Sequence, residues 1–412
     1  MRNPVPLFLV LVTLSMPITA VGTVGSTGTA VDDSTTPALR YQSVTVVGDH
    51  AQLEETPNRL VLTQSGKTEY VTPTLDFGMQ LANQDESIRS DYRSFSFESR
   101  FSEFENDTAR SEAIETELER IDDRIRTLRD REREAATAHA DHNASETVVT
   151  RALARNYYEA LELRQALEEL ETHAESVDDQ SVPVRDYTAE LGLYTSPLRE
   201  EISERLHGVD DSERAFDTVL LETSQDGLVL SAIDTDTKEY VREATRYDNR
   251  DLNRSDQIET IRTARDTAVD LYPWAFESTS GTSSSKYGAV QLYRVEATAH
   301  PQGRLTVYLD GGTGTVSHER QTLDFDQIPP KDLDEFGTEN LSVRLTRVEA
   351  GTPAKVTVTD PESGDPLEAS VSIDGAPLGE TGEDGELWVV PPTEEFELNV
   401  RTADASINET VS

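Results

Sequence analysis

Apolar side chains along the first half of this chain repeat with a helical rhythm. Ile88, Tyr92 and Phe95, then Phe97, Phe101 and Phe104, recur three and four residues apart, the spacing of one helix face. An aromatic stripe of this kind predicts core packing rather than a ligand platform. A stronger signal follows. Ile114, Leu118, Ile121, Ile125 and Leu128 alternate four and three apart, with Glu, Asp and Arg filling nearly everything between them. Val149, Leu153, Asn156, Ala160, Leu163, Leu167, Leu170, Ala174 and Val177 keep the same rhythm. Each set is a heptad seam. The stretch 138–145 between them is polar, with Ser145 placed to cap the second helix. The simplest fold is a long antiparallel α-helical coiled-coil hairpin, with arms of roughly 40 Å at ~1.5 Å per residue. The alternative is a parallel dimer through one seam, with Asn156 fixing the register. That dimer leaves the second seam uncovered, which favours a monomer.

Elsewhere the rhythm is that of strands and turns. Residues 59–62 and 70–71 predict a short β-hairpin across Gln64-Ser65-Gly66. Ser196 as cap and Pro197 in the first turn start a helix through Leu206, which Gly208 stops. Residues 218–222 and 228–231 flank Asp226-Gly227, a hairpin signal. Helical patterns follow at 240–246 and 258–271, the second broken by Pro273. Strands are expected at 291–299, 304–310 and 316–323, and the Ser/Gly-rich 278–286 reads as a loop. Beyond Pro329-Pro330, segments 341–348, 354–358, 369–373, 387–390 and 396–400 are all β in pattern.

The N-terminus has a pattern of its own. Arg2 is followed by no charge until Asp32, and an apolar core at 7–14 leads to Pro17 and small residues. This reads as a secretory signal peptide over 1–31, with an uncleaved membrane anchor as the competing reading. Residues 32–58 read as a mobile leader. In an exported chain the Asn-x-Ser/Thr triplets at Asn106, Asn143, Asn253, Asn340 and Asn408 are candidate glycosylation sites. Asn143 stands at the predicted hairpin tip.

Charge narrows the class. Of 412 residues, 79 are Asp or Glu and 37 are Lys or Arg, a formal charge of −42. Such an excess repels itself at low ionic strength but is largely screened in molar salt, where the Debye length is about 3 Å. Acidic residues spread over every segment from Asp32 onward, rather than gathered in one tail, therefore point to a protein of concentrated salt. The same charge argues against nucleic acid and against anionic membrane surfaces. The chain has no cysteine, which excludes disulfides, thiolate metal sites and a Cys nucleophile.

Two segments carry family resemblances. Residues 307–316, Val-Tyr-Leu-Asp-Gly-Gly-Thr-Gly-Thr-Val, are similar to the closing hairpin of PepSY-type domains, and 220–231 resemble a second, weaker copy. That likeness implies an α+β regulatory or binding module. Residues 358–369 with Asp374-Gly375 and 381–387 resemble a carboxypeptidase-regulatory-like or transthyretin-like β-sandwich. The whole chain is similar to secreted haloarchaeal surface proteins of this layout, a resemblance that implies no activity.

Catalytic signatures fail on inspection. Gly66-Lys67-Thr68 ends like a phosphate loop, but Val61 stands where the first glycine belongs. His318-Glu319 opens like a zinc-protease motif, yet Thr322 replaces the second His in a strand context. Ser283-Ser284-Ser285-Lys286 fits a Ser-x-x-Lys pattern only in low-complexity sequence. His139, Asp141 and His142 read as an exposed loop rather than a metal site.

The expected organisation is signal peptide or anchor (1–31), leader (32–58), short β element and helical hairpin (59–181), PepSY-like α+β domain (182–328), linker (329–340) and Ig- or transthyretin-like sandwich (341–412). The expected function is a non-catalytic binding or scaffolding protein, extracellular or at the cell surface. Its partner would be a protein or surface glycan. No cofactor, metal, catalytic residue or nucleic acid is expected, and a membrane only if the N-terminal segment stays uncleaved. The competing classes are a secreted hydrolase with a dispersed Ser/Asp/Glu site and a protease-inhibitor or chaperone-like module.

Overall fold

The computed structural model describes residues 59–412 except 64–65, 210–215, 217, 235, 278, 329–331 and 348–351, together with the backbone of β1 (Thr45–Val47) and β2 (His50–Gln52). The expected signal segment lies outside the described residues. β1 pairs with β2, and β2 pairs with β3 (Arg59–Leu60).

One antiparallel sheet organises the middle of the chain. Its eight strands lie in the order β4 (Lys67–Val71), β5 (Val219–Thr223), β6 (Gly227–Asp234), β7 (Glu239–Arg246), β11 (Val316–Asp324), β10 (Gly303–Asp310), β9 (Leu292–His300) and β8 (Thr282–Tyr287). Alternation along β6 splits its side chains between two layers. Leu228, Leu230 and Ala232 join a core with the long helices, while Val229 packs on the other side with α6 (Ile261–Leu271) and α7 (Pro273–Phe276).

The long helices are α1 (Phe77–Glu103), α2 (Asp107–Ala140) and α3 (Glu146–Ala174), followed by α4 (Val184–Leu191) and α5 (Pro197–His207). Asn106 caps α2 by accepting from the Ala109 N–H at 2.9 Å. Ser196 caps α5, and Gly208 ends it in the left-handed region at φ 70°. Ser145 stands at the N-cap of α3 without making the side-chain cap bond.

The expected coiled-coil hairpin is overturned. The residues of both seams, Ile114, Ile121 and Leu128 with Leu163, Leu167 and Leu170, share one buried cluster with Phe97 and Phe101 of α1, Leu191 of α4 and Tyr194. The reason lies in α3, whose Ala152, Ala154, Tyr157 and Glu159 are buried beside the seam residues. A helix buried on more than one face needs more than one neighbour, and α5 packs along it through Leu198, Ile202 and Leu206. The architecture is therefore mixed α+β. Asn156 sets register within the chain: its amide donates to the Leu128 carbonyl at 2.8 Å and accepts from Arg131 at 2.7 Å.

Three local expectations also change. Residues 59–71 form no hairpin with one another, since β3 joins β2 and β4 joins β5. Residues 240–246 are strand β7, not helix. Its inward positions include Arg242, Glu243 and Arg246, buried charges that hide the alternation. Residues 282–287 are edge strand β8 rather than loop, and an edge tolerates the exposed Ser and Lys that made it read as one.

The C-terminal region is a β-sandwich. One sheet runs β12 (Asp332–Gly337), β13 (Ser342–Arg347), β14 (Ala354–Thr359) and β17 (Glu386–Val389). The other runs β16 (Ala376–Glu380), β15 (Ser370–Ile373), β18 (Phe396–Arg401) and β19 (Ser406–Val411). Val343, Leu345, Val356, Val371, Leu398 and Val400 fill the space between them. It is tied to the large sheet where Tyr70 donates to the Val390 carbonyl at 2.6 Å, Thr393 donates to Glu222 at 2.9 Å and Phe325 lies 4.3 Å from Trp388.

Candidate functional site

β4 is the terminal strand of the eight-stranded sheet, and among the described residues it pairs only with β5. Gly66 donates its N–H to the Thr223 carbonyl at 2.8 Å. On the other side of β5, Ser224 donates to the Gly227 carbonyl at 2.9 Å, so the backbone groups of Val219, Leu221 and Thr223 face β4 and pair with Val71, Glu69 and Lys67. By the alternation of antiparallel pairing, the N–H groups of Thr68 and Tyr70 turn away from β5. Beside this edge opens a cleft of ≈ 780 Å³, lined by residues 68–78, the first turns of α3, and Asp374, Ala376 and Pro392 of the sandwich. Its lining is rich in Thr and Pro. At one end Arg151 donates to Asp76 at 2.5 Å, while Asp76 caps α1 by accepting from Met79 at 3.1 Å. The Arg151 bond, with the cap, holds the Asp76 carboxyl below the usual carboxylate range.

Glu69 projects into the cleft from β4. Burial raises its pKa, but Lys67 at 2.8 Å and His139 at 2.9 Å outweigh that and leave the carboxyl below its ordinary value. His139 Nδ1 lies 2.7 Å from Thr223 Oγ1. Glu69, His139 and Thr223 thus form a carboxylate–imidazole–hydroxyl relay. A Cβ on Gly66 would stand 2.7 Å from that of Ala140, so glycine is what lets the end of α2 approach the strand and deliver His139. The relay has a reactive order of groups but no access: Thr223 and His139 are both 0 % exposed, and neither lines the cleft. A nucleophile that no substrate atom can approach is a structural tie.

A second polar cluster lies between the long helices and the sheet. Arg199 of α5 binds Glu132 of α2 and Glu243 of β7, both at 2.5 Å. Arg250 binds Glu190 at 2.9 Å and Asp310 at 2.7 Å. Burial would raise Glu243, but Arg199, His318 and Arg320 hold it down to about 2. Burial pushes His318 down to about 3. The cavity among these groups is ≈ 30 Å³, room for little more than water. On the opposite sheet face Arg242 binds Glu319 at 2.7 Å. His318 and Glu319 therefore point to opposite faces of β11 and cannot share a metal.

The other residues singled out in sequence are dispersed. His139 is buried, whereas Asp141 and His142 are exposed, so the three do not converge. Ser283–Lys286 lie on β8, where Ser283 donates to Glu296 and Lys286 pairs with Asp256. Asn106, Asn143, Asn253, Asn340 and Asn408 are all exposed. Asn106 is engaged as the α2 cap, and Asn408 donates to Glu397 at 2.6 Å. Sequence reasoning missed the cleft because its walls come from three separate parts of the chain. Its one linear trace is Lys67–Val71, a short strand with Thr and Pro after it.

Residues 1–211 match a family model described as Domain of unknown function (DUF7096). The chain belongs to that family. Residues 219–329 match a model described as Family of unknown function (DUF7094), and residues 335–409 match an archaeal fibronectin-III type-like domain. No curated protein and no solved structure matches the chain. The C-terminal sandwich is thus archaeal fibronectin-III type-like, and neither the transthyretin-like nor the PepSY likeness finds support in these matches. In this DUF7096 member the first two matched regions share one sheet. β4 comes from the first, and β5 to β11 come from the second.

Proposed function

We propose that this chain is a non-catalytic binding or scaffolding protein at the outside of a salt-adapted archaeal cell, and that it takes an extended polypeptide strand in the cleft along β4. The observation that carries the reading is the outer edge of β4, which no other strand among the described residues pairs with, facing a ≈ 780 Å³ cleft. A strand added there would pair with backbone groups already aligned, and the pockets between Tyr70, Thr72 and Thr74 would select its side chains. The archaeal fibronectin-III type-like region supports a surface role, and the exposure of all five sequons is compatible with glycosylation there. The sealed Thr223 hydroxyl supports a non-catalytic reading over a hydrolase.

The test is a screen of extended peptides against the full chain in molar salt. Selected peptides should bind at least about tenfold more weakly to a Thr74→Trp variant, which fills the cleft, and to Thr68→Pro, which removes one outward N–H, a loss of ~1.4 kcal/mol or more. Thr74 is exposed, so its replacement leaves the fold unstrained. Binding indifferent to both changes would rule the cleft out.

A further inference from the structure

α1 is packed inside out. Its docked side is polar: Gln80 donates to the His207 carbonyl at 3.1 Å, Asn83 meets the His207 ring at 3.1 Å, and Glu86 binds Arg124 at 2.7 Å and Arg93 at 3.0 Å. Only Met79, Phe97 and Phe101 bury apolar surface. Its outer side carries Phe77, Leu81, Ile88, Tyr92 and Phe95, each between 68 % and 70 % exposed. A scattered exposed apolar residue needs no explanation, but five large ones along one helix face are a contiguous patch.

We infer that this face of α1 joins a second copy of the chain across a two-fold axis at Ile88. Leu81 and Phe95 each stand seven residues from Ile88, a heptad interval that keeps all three on one seam. An antiparallel pair centred on Ile88 sets Ile88 against its own copy and Leu81 against Phe95 twice over. That is the self-complementarity an isologous contact requires. Three aromatic and two aliphatic side chains exposed by two-thirds offer roughly 650 Å² per copy, near the ~800 Å² per partner of a standard interface. The seams through Ile121 and Leu167 cannot serve, because both residues are 0 % exposed.

A lipid surface fits this face poorly. Helices that lie in the membrane interface flank their apolar side with Lys and Arg. Asp85, Asp91 and Glu98 stand near this stripe against Arg89 and Arg100, within a chain of net charge −42. Between two such acidic copies the repulsion is long-ranged and the apolar contact short-ranged, so association should strengthen with salt.

Sedimentation of the full chain should show a dimer in molar salt that dissociates as salt is lowered. Ile88→Glu should weaken it at least about hundredfold. The variant's monomer should keep the wild-type melting curve, since the side chain is 68 % exposed. The native chain has no cysteine, so oxidative cross-linking reads the geometry directly. Ile88→Cys should cross-link to itself, and Leu81→Cys should cross-link with Phe95→Cys but not with itself. A wild type that stays monomeric at its solubility limit in molar salt would overturn the inference. So would an Ile88→Glu protein that still dimerises, self-linking of Leu81→Cys in place of Ile88→Cys, or flotation of monomeric chain with phosphatidylglycerol vesicles.

Discussion

Individual residues in this protein carry charge into places where hydrophobic patterns lead one to expect none. Arg199, Glu132 and Glu243 are each at most 2 % exposed, and none could be left there alone. Removing one partner of such a set typically costs ~3–5 kcal/mol, because the other charge stays buried. His318 beside them is the clearest pH probe. Burial holds its folded pKa at about 3, against 6.5 in the unfolded chain, with Glu243 opposing that shift and Arg320 adding to it. The unfolded chain therefore takes a proton that the native state refuses. This contribution to stability is whole above pH 6.5 and erodes as pH falls towards the folded value. Between neutral and about pH 5 the loss should be ~2 kcal/mol. Urea titrations over that range should show a His318→Gln variant losing correspondingly less stability than wild type. Equal losses would mean that the imidazole accepts its proton inside the fold.

At the scale of elements, α1 separates what periodicity reveals from what it hides. Phe95 and Phe97 are two residues apart, and both continue a helical aromatic rhythm, yet the first is 68 % exposed and the second 9 %. Phe97 lies 5.6 Å from Phe101 and 5.4 Å from His173. Phe97→Ala should thus cost ~3–5 kcal/mol through the cavity it leaves. Tyr92→Ala, at 70 % exposure, should change the melt of dilute monomer by less than about 0.5 kcal/mol. Comparable losses at both positions would put Tyr92 in the core. Periodicity establishes that a residue belongs to a face but not what that face meets. The same gap explains the lost hairpin: the seams of α2 and α3 are genuine helix faces, and α1, α4 and α5 share in covering them. Capping signals are different in kind. Ser196, Pro197 and Gly208 act within a single turn, and α5 forms between them as their chemistry dictates.

For the whole molecule, charge is the governing quantity. A net −42, with the acidic residues spread along the chain from Asp32 onward, opposes compaction unless counterions screen it. The melting midpoint should fall steeply as salt drops from molar to tens of millimolar, where the Debye length grows from about 3 Å beyond 10 Å. A flat curve would count against adaptation to salt. This expectation concerns solvent and is read from composition alone, whereas the helix from Ser196-Pro197 through Leu206, the hairpin of 218–222 and 228–231 and the all-β C-terminal region are read from local sequence pattern. Each rests on interactions within a few residues or on sums over the chain. The union of β4 with β5 across nearly 150 residues, the burial of charge on β7 and the cleft between sheet edge and sandwich were decided only by tertiary structure. Their partners are far apart in sequence, and a strand edge, an ion pair or an exposed helix face is defined by what stands opposite it.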